Sequence, residues 1–378
     1  MLPLDGIKVV ELASNVAGPY AGSVLAMLGA DVLKIERPEG DDARGWGPPF
    51  VDGVSAIFHA MNPNKRSVTL DLKDPTHMAW LKGTIAQSDV LVQNMRPGVL
   101  EDMGLGAAAM LELNPRLVYG SIAAFGARGP MRRDAGYEPI VQAYAGIFSV
   151  NGEAERPGVR VGLQLLDMGT GMWAALGCIA GLLQRERTGK GVIVDASLFE
   201  TALAWLSGHF ASFKASGDLP VRHPTGSHRV VVFQAFDAAD GQLIIAAAND
   251  RLFAKLATEL GHPEWVADPR FRTNRDRYAN KTALLPVIAE ILKGQPRAHW
   301  LARLEAVGVP CAPINDLRQV EAMPHTQAIG MMLPVPDFEL DLVGLPLSFD
   351  GERPPMRSRA PKLGEHNAEM AGRTKAAE

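Results

Sequence analysis

The stretch IKVVELASNVAGPYAGSVLAMLGADVLKIE, residues 7–36, decides the fold. Its first six residues form a short apolar run that predicts a strand, and DVLKIE at residues 31–36 predicts a second strand. Between them, Pro19 suits the first turn of a helix and Gly29 suits its end. A strand, a helix and a second strand in this order form a βαβ unit, whose two strands lie parallel.

The same alternation of strands and helices continues along the first half of the chain. Helices are predicted over residues 74–87, 107–113, 167–187 and 197–215, and strands over residues 89–93, 116–122 and 191–196. Alternating elements of this kind predict an α/β protein with a doubly wound parallel sheet, a Rossmann-like scaffold.

The pattern changes after Gly217. Asp240-Gly241 is a hairpin signal between two further strands, and three helical stretches follow it. The strands are predicted over residues 229–236 and 242–247, and the helices over residues 251–260, 282–292 and 297–307. This region therefore predicts a smaller α+β domain.

The composition of the chain indicates an enzyme that acts on small molecules. The 378 residues are enough for two domains, and 47% hydrophobic with 21% charged residues is ordinary for a globular chain. A net charge of −4 without a basic block argues against nucleic acid or anionic membrane as the main partner. No apolar run reaches the roughly 18 residues of a membrane span, and residues 172–183 are predicted to form a buried helix. We therefore expect a cytoplasmic protein.

Several familiar kinds of site are absent from the sequence. The turn SNVAGPYAG, residues 14–22, lacks the G-x-G-x-x-G of a dinucleotide site. The nine histidines form no H-x-x-x-H pattern, so no metal site is predicted. Cys178 and Cys311 are the only cysteines, which excludes a disulfide framework.

Asp167 is the first candidate for a catalytic group. It stands directly before Met-Gly-Thr-Gly at the mouth of an apolar helix, where a carboxylate commonly serves as a structural cap. Gly169 and Gly171 are costly in a first turn, and they suit a ligand that approaches the backbone closely. A helix N-terminus also favours the ionised carboxylate, the form that attacks a carbonyl. Spacing alone leaves both readings open.

Polar residues that follow predicted strands are candidates for ligand contacts. Arg37, Asn94 and Arg96 each come shortly after a strand, and ligands of open α/β sheets sit beyond the carboxyl ends of strands. Guanidinium groups in such loops suit phosphates, although a single surface arginine is more often only solvated. Lys65 and Arg66, which precede a strand-like stretch at residues 68–72, are further candidates for phosphate contacts.

Seven blocks of sequence, in order, resemble the family III CoA-transferases, the group that includes formyl-CoA transferase and the CaiB/BaiF proteins. The blocks are LDGIKVVELASNVAGPYAGSVLAMLGADVLKIERPEGD, NPNKRSVTLDLK, SDVLVQNMRPGVLEDMGLG, NPRLVYGSIAAFGARGP, GYEPIVQAYAGI, LDMGTGMWAALGCIAGLLQRERTGKG and APKLGEH. The resemblance implies an enzyme that moves CoA from an acyl-CoA donor to a carboxylic acid acceptor through an aspartyl-CoA thioester. Coenzyme A would be the co-substrate, and no metal is implied.

The resemblance also implies an architecture and a set of site residues. Residues 1–216 and a return segment, 324–378, would form the large Rossmann-like domain, and residues 217–323 the small one. Two chains would interlock as rings in a homodimer, crossing near residues 207–221 and 324–342. Asp167 matches the nucleophile. The implied CoA contacts are Val16, Ala17, Arg37, Leu70, Lys73, Asn94, Met95, Arg96 and Tyr137. Asp102 departs from the family pattern, which has an arginine there.

Two alternatives stay open at this point. An α-methylacyl-CoA racemase resembles the same family, but its G-H-D triplet is here Gly136-Tyr137-Glu138. A CoA-binding paralogue without turnover would be compatible with Asp102. The sequence does not name the acids. His228 and Arg229 form either a site for a second carboxylate or an ordinary surface pair.

Overall fold

A six-stranded parallel sheet is the central element of the computed structural model, which describes residues 1–227 and 229–370. Its strands are β1 (Lys8–Leu12), β2 (Asp31–Glu36), β5 (Lys65–Thr69), β6 (Val90–Gln93), β7 (Val118–Ala123) and β8 (Val192–Ser197), and a hairpin of β3 (Phe50–Val51) and β4 (Val54–Ser55) is inserted after β2. The order β5-β2-β1-β6-β7-β8, parallel throughout, confirms the predicted mixed α/β fold with a parallel sheet. The order reverses between β1 and β6, which makes their carboxyl ends the expected ligand crevice.

Helices connect the strands of this sheet. They are α1 (Ala17–Met27), α2 (Ala56–Met61), α3 (Pro75–Ala86), α4 (Val99–Asp102), α5 (Ala107–Leu113), α6 (Glu138–Tyr144), α7 (Ile147–Val150), α8 (Leu165–Thr188), α9 (Leu198–Trp205) and α10 (Ser207–Ser216). A short 3-10 turn at Asp42–Gly45 follows β2.

One face of the sheet carries an apolar core. Alternate side chains of β1 and β2, among them Val10, Leu12 and Leu33, pack against Leu81 and Ile85 of α3. Alternation places residues two apart on the same face, so the remaining positions of these strands face the other way.

The opposite face of β1, β2 and β5 carries a buried ionic cluster. The fully buried ammonium of Lys34 lies 3.0 Å from Glu11 Oε1 and 2.8 Å from Asp41 Oδ2. Lys65 lies 2.7 Å from Glu11 Oε2 and donates a second 2.7 Å hydrogen bond to the carbonyl of Pro19 in α1. Such charges are tolerated inside a protein only when they are paired and hydrogen-bonded.

Gly22 of α1 is what lets this cluster fit beneath the helix. A Cβ at this position would lie 1.9 Å from Glu11 Oε2.

The buried cluster also shifts the pKa values of its two lysines. Burial and the positive charge of Lys34 lower the pKa of Lys65 to about 8, because together they outweigh the opposing effect of the Glu11 carboxylate. Burial opposes protonation of Lys34 too, but the carboxylates of Glu11, Asp41 and Glu36 raise its pKa.

The helix α8 is longer than the sequence predicted. It has 24 residues, and by length and composition alone it is apolar enough to span a membrane, so the expectation that no stretch reaches that length was wrong. Half of its apolar window is buried, and it packs against α1 and against β7 and β8. The side of α8 that faces these elements therefore belongs to the core of the first unit.

The later part of the chain forms an antiparallel sheet with helices. Its strands are β9 (Phe233–Ala238), β10 (Gly241–Ala246) and β11 (Cys311–Pro313), and its helices are α11 (Asp250–Glu259), α12 (Asn274–Ala279), α13 (Lys281–Lys293), α14 (Arg297–Ala306) and α15 (Leu317–Ala322), with a 3-10 turn at Pro263–Val266. Asp240-Gly241 joins β9 to β10, as predicted, whereas the first strand begins at Phe233 rather than residue 229. Phe253, Trp265, Ile288 and Trp300 belong to its core.

The described chain divides into two compact units. Of the described residues, 1–147, 160–215 and 324–370 form one unit, and 148–159, 216–227 and 229–323 form the other. Residues 148–159 were predicted to belong to the large domain, whereas they belong to the second unit. The last elements, α16 (Pro324–Ile329), β12 (Met332–Leu333) and β13 (Leu342–Val343), belong to the first.

The return segment of the first unit covers the edge of the central sheet. The His366 amide donates to the carbonyl of Ser67 (2.9 Å), and the amide of Thr69 donates to Asn367 Oδ1 (2.9 Å). These contacts satisfy backbone groups of β5 that an edge strand would otherwise expose.

Candidate active site

A cleft opens at the carboxyl ends of β1 and β6, where the strand order reverses. Its volume is about 180 Å³, and it lies within the first unit. The predicted site residues that line it are Val16, Ala17, Asn94, Met95, Arg96, Tyr137 and Asp167. A ligand crevice at this point is what a doubly wound sheet provides.

Asp167 lies inside the first turn of α8 rather than capping it. The helix begins at Leu165 after Gln164, so Asp167 is the third helical residue, and a structural cap, one of the two interpretations that the sequence left open, was wrong. Its side chain is half-buried and lines the cleft. The helix N-terminus still stabilises negative charge at this position.

A second carboxyl group, that of Glu138, is hydrogen-bonded to Asp167. Glu138 is the buried first residue of α6, and its Oε1 accepts hydrogen bonds from the amide of Leu166 (2.9 Å) and from Gln142 Nε2 (3.0 Å). These two donors fix the Glu138 carboxyl beside the start of α8.

The pair changes the protonation of Asp167. Burial, the negative charge of Glu138 and the hydrogen bond between the two carboxyl groups raise the pKa of Asp167 to about 7. A negative charge beside a carboxyl group disfavours its ionised form, which is why Glu138 contributes to this shift. Strongly perturbed acids in a cleft are typical of active sites.

Glu138 was not among the residues predicted from the sequence. A glutamate followed by Pro139 at a helix start has an ordinary structural explanation, because acids are common in first turns. Only the fold brings this residue to Asp167, which is 29 positions later in the chain.

Gly169 and Gly171 allow close packing of helices rather than close approach of a ligand. A Cβ on Gly171 would lie 2.5 Å from the carbonyl oxygen of Ala17, and one on Gly169 would lie 3.1 Å from Thr201 Cγ2. Both glycines are buried, past the first turn of α8, where backbone amides donate within the helix. The sequence interpretation of these glycines, that a ligand approaches their backbone closely, was therefore wrong.

The loop before α1 forms one wall of the cleft and is held on several sides. Asn94 accepts a hydrogen bond from the Ser14 amide (3.0 Å) and donates one to its carbonyl (2.8 Å). Lys34 donates to the carbonyl of Ala13 (2.7 Å), and the amide of Asn15 donates to Asp41 Oδ1 (3.0 Å). The buried ionic cluster therefore fixes the backbone at the cleft.

Three predicted CoA contacts do not line this cleft. Arg37 donates to the carbonyl of Gly40 (2.9 Å) and pairs with Asp42, and Lys73 is exposed. Leu70 is 1% exposed and belongs to the apolar core.

Other predicted candidates also form ion pairs elsewhere or lie outside the first unit. Lys65 is fully buried in the ionic cluster, and Arg66 pairs with Asp31 and Glu369. Neither is available to a phosphate. Arg229 belongs to the second unit, and His228 lies outside the described residues.

The profile of CoA-transferase family III matches residues 4–367 of the chain. The protein belongs to CoA-transferase family III. This family III CoA-transferase is 38% identical to succinyl-CoA:glutarate CoA-transferase of Mus musculus over 85% of this chain and 74% of the relative. It is 37% identical to acetyl-CoA:oxalate CoA-transferase of Acetobacter aceti over 97% of this chain and 95% of the relative.

Solved structures agree with this assignment. The family III CoA-transferase matches the crystal structure of a CAIB/BAIF family protein from Brucella suis with a TM-score of 0.89 and 38% identity. The match covers 98% of this chain and 99% of the other. The resemblance inferred from the seven sequence blocks is confirmed, and the chain is a CoA-transferase whose family uses CoA thioesters as co-substrates.

Proposed function

We propose that this enzyme moves CoA from an acyl-CoA to a dicarboxylic acid, with the carboxylate of Asp167 as the covalent nucleophile. The observation that carries the proposal is the pair of carboxyl groups, Asp167 and Glu138, at the crevice of the sheet. The names of two relatives include glutarate and oxalate, which are both dicarboxylic acids, and this supports a dicarboxylic acid as the acceptor.

The proposed reaction proceeds in balanced steps. Asp167 attacks the thioester carbonyl, which forms a mixed anhydride and releases CoA thiolate. The thiolate attacks the aspartyl carbonyl of the anhydride, which gives an aspartyl-CoA thioester and the free donor acid. The acceptor carboxylate attacks this thioester, and the same steps run in reverse to the new acyl-CoA. One thioester replaces another, so covalent catalysis divides a nearly balanced exchange into easier steps.

The pKa of Asp167 suits such a cycle near neutral pH. A pKa of about 7 leaves a large fraction of the group ionised and able to attack. A more basic carboxylate is also the stronger nucleophile.

The two alternative functions have less support. A racemase of this fold needs a histidine at the substrate, and among the residues that the structure describes no histidine lines the cleft. A paralogue without turnover would not need two adjacent carboxyl groups at the crevice, since neighbouring negative charges oppose one another.

We also propose that two chains form the interlocked homodimer that the family resemblance implies. Apolar side chains are exposed along one side of α8, at Met172, Trp173, Leu176 and Leu183, and Ile193 is exposed on the edge strand β8. A second copy of the chain would cover this stripe and this edge. Light scattering at micromolar concentration should give the mass of a dimer, and a monomer would contradict the proposal. A cytoplasmic location stays a prediction.

Mass spectrometry of a trapped intermediate tests the chemistry. The protein is incubated with succinyl-CoA, acetyl-CoA or formyl-CoA, quenched with hydroxylamine and digested. We expect a hydroxamate on the peptide that contains Asp167 with at least one donor. Asp167→Asn should abolish the label, whereas Asp52→Asn, a change on the exposed hairpin, should keep it. No label with any donor despite CoA binding would contradict the covalent mechanism.

A further inference from the structure

Gln142 is a fully buried residue of α6, one turn after Glu138, and both ends of its side-chain amide are hydrogen-bonded. Its Oε1 accepts a hydrogen bond from the amide of Val161 (2.9 Å). Its Nε2 donates to the carbonyl of Val161 (3.3 Å) and to Glu138 Oε1 (3.0 Å). The side chain therefore joins the Glu138 carboxyl group to the backbone of the segment that precedes α8.

The backbone of Val161 determines which end of the Gln142 amide faces Glu138. The two ends of a side-chain amide have nearly the same shape, so their hydrogen-bond partners must decide the orientation. The N–H group of Val161 can only donate, so it requires Gln142 Oε1 on its side. In this orientation Nε2 is directed at Glu138, and Gln142 is a donor to the carboxyl group.

Glu138 Oε1 receives a second hydrogen bond from the first turn of α8. The donor is the amide of Leu166 (2.9 Å), one of the N–H groups that have no partner within a helix. Gln164, which precedes the helix, provides no side-chain cap, and Glu138 takes this role from a different helix. Two N–H donors at one oxygen stabilise negative charge on the carboxyl group of Glu138.

Few other charged groups surround this pair of acids. Helices α8 and α9 pack against α6. Apart from Asp167, the charged residues of α8 are at 185–187, at its other end, and Arg160 in the segment before it is exposed. The charged residue of α9 is Glu200, which is hydrogen-bonded to the serine that caps its own helix (2.5 Å). Glu138 is therefore the acid whose charge acts on Asp167.

We infer that Gln142 is a positioning residue for CoA transfer, which stabilises the negative charge of Glu138 and so allows Asp167 to ionise beside it. The inference rests on the proposed function, because that function requires the carboxylate of Asp167. Two adjacent negative charges are tolerated only where donors stabilise them, and Leu166 and Gln142 supply these donors. Gln142 is not among the described residues that line the cleft, so it acts through Glu138 rather than on the substrate.

The pH profile of kcat/KM tests this role in Gln142→Met, a variant of about the same volume that cannot donate. The midpoint, near pH 7 in the parent, should move up by about one pH unit, because a hydrogen bond to a charged group is lost. At pH 7, kcat/KM should then fall about fivefold, whereas at high pH it should approach that of the parent.

A double variant shows whether Gln142 acts through Glu138. Glu138→Gln alone should move the midpoint to lower pH, which is the opposite direction. Gln142→Met in the background of Glu138→Gln should cause no further shift, since the charge that Gln142 stabilises is absent. A full upward shift in this background would contradict a role that depends on Glu138.

Asn114→Leu is the matched control for the loss of hydrogen bonds to the backbone. Asn114 Nδ2 donates to the carbonyls of Ile85 (3.3 Å) and Ser88 (2.8 Å), and its Oδ1 accepts from the amide of Arg116 (3.1 Å). It precedes β7, at the edge of the sheet opposite the cleft. The variant should lower Tm without moving the midpoint of the pH profile.

Gln142→Glu is a second variant, which tests the inference if Gln142→Met does not fold. It keeps the shape of the side chain and an acceptor for the Val161 amide, but its ionised carboxylate cannot donate to Glu138. It should also raise the midpoint. A midpoint that stays at that of the parent, or falls, in a folded variant would overturn the inference and leave Gln142 with a structural role only.

Infrared difference spectra separate this inference from the proposed function. The band of the protonated carboxyl group, assigned with Asp167→Asn, follows the ionisation of Asp167 in the free enzyme without turnover. If Gln142→Met raises the midpoint of this band but the parent forms no hydroxamate, the role of Gln142 stands and the covalent mechanism is wrong. If the hydroxamate forms on Asp167 and the band does not shift, the covalent mechanism stands and the inference is wrong.

Discussion

The carboxyl group of Asp167 is hydrogen-bonded to that of Glu138, and the two come from the first turns of different helices, α8 and α6. Each helix N-terminus favours negative charge, while the two charges oppose one another. The outcome is an aspartate whose pKa is raised to about 7. This relationship leads to two predictions about pH.

The first prediction concerns the rate. If Asp167 attacks as the carboxylate, kcat/KM should rise with pH through about 7 and then level off. Glu138→Gln removes the neighbouring charge, which contributes to the raised pKa, so the midpoint should move to lower pH. Rates measured from pH 5 to pH 9 with one acyl-CoA check this. If the midpoint of the pH profile does not change, Glu138 does not contribute to the raised pKa of Asp167.

The second prediction concerns stability. The unfolded aspartate has a pKa of about 3.9, whereas the folded one titrates at about 7. Between these values the folded protein holds a proton that the unfolded chain has released, so stability falls as pH rises through this window.

Urea unfolding of the parent and of Asp167→Asn at pH 5 and pH 8 tests this sign. The asparagine has no proton to release, so the variant should gain stability relative to the parent as pH increases. If the difference in free energy of unfolding between the two proteins is the same at pH 5 and pH 8, the pKa of Asp167 is not raised in the folded state.

The third prediction concerns the contact between α8 and α1. Gly171→Ala places a Cβ 2.5 Å from the Ala17 carbonyl oxygen, and overpacking of this kind costs about 1–3 kcal/mol. Gly83→Ala is the control, because nothing lies within 4 Å of its Cβ position in α3. There, alanine should stabilise the helix by about 0.5–1 kcal/mol. In thermal unfolding, Gly171→Ala should lower Tm and Gly83→Ala should raise it. Equal changes in Tm would contradict the packing argument.

The fourth prediction concerns the buried ionic cluster. Lys34→Met leaves Glu11 and Asp41 buried without their shared partner, and removing one member of a buried pair costs about 3–5 kcal/mol. The carbonyl of Ala13 also loses its donor, so kcat should fall with stability. Lys293→Met, which breaks an exposed pair with Glu290, should change neither. Denaturant unfolding and steady-state kinetics distinguish the two variants.

Five of the six strands of the central sheet could be predicted because each contains an apolar run between turn signals, whereas β5 begins with Lys65 and Arg66 and was not among them. The bounds of β2 match the prediction, and the crevice after β1 and β6 follows from the order of elements. The start of α8 could not be predicted, because aspartate is a residue type that often caps helices. In the structure, Leu165 and Leu166 before it already belong to the helix.

Long-range contacts explain the other differences. Lys65 has the sequence context of a surface residue after a turn, but its register with Val32 turns its side chain toward Glu11 beneath α1. Leu70 was predicted to contact CoA, and its side chain lies in the apolar core. In both cases the face of the strand, set by its neighbours, determines what the side chain meets.

The covering of β5 by residues 366 and 367 has a consequence during synthesis. The hydrogen bond between Ser67 and His366 joins residues 299 positions apart. At about 5–20 residues per second, a ribosome needs about 15–60 s to make the intervening chain. For that time the nascent sheet has an open edge, to which strands of other chains can add. The growing polypeptide is therefore most exposed to aggregation before its last segment emerges, and this is the interval in which a chaperone would protect it.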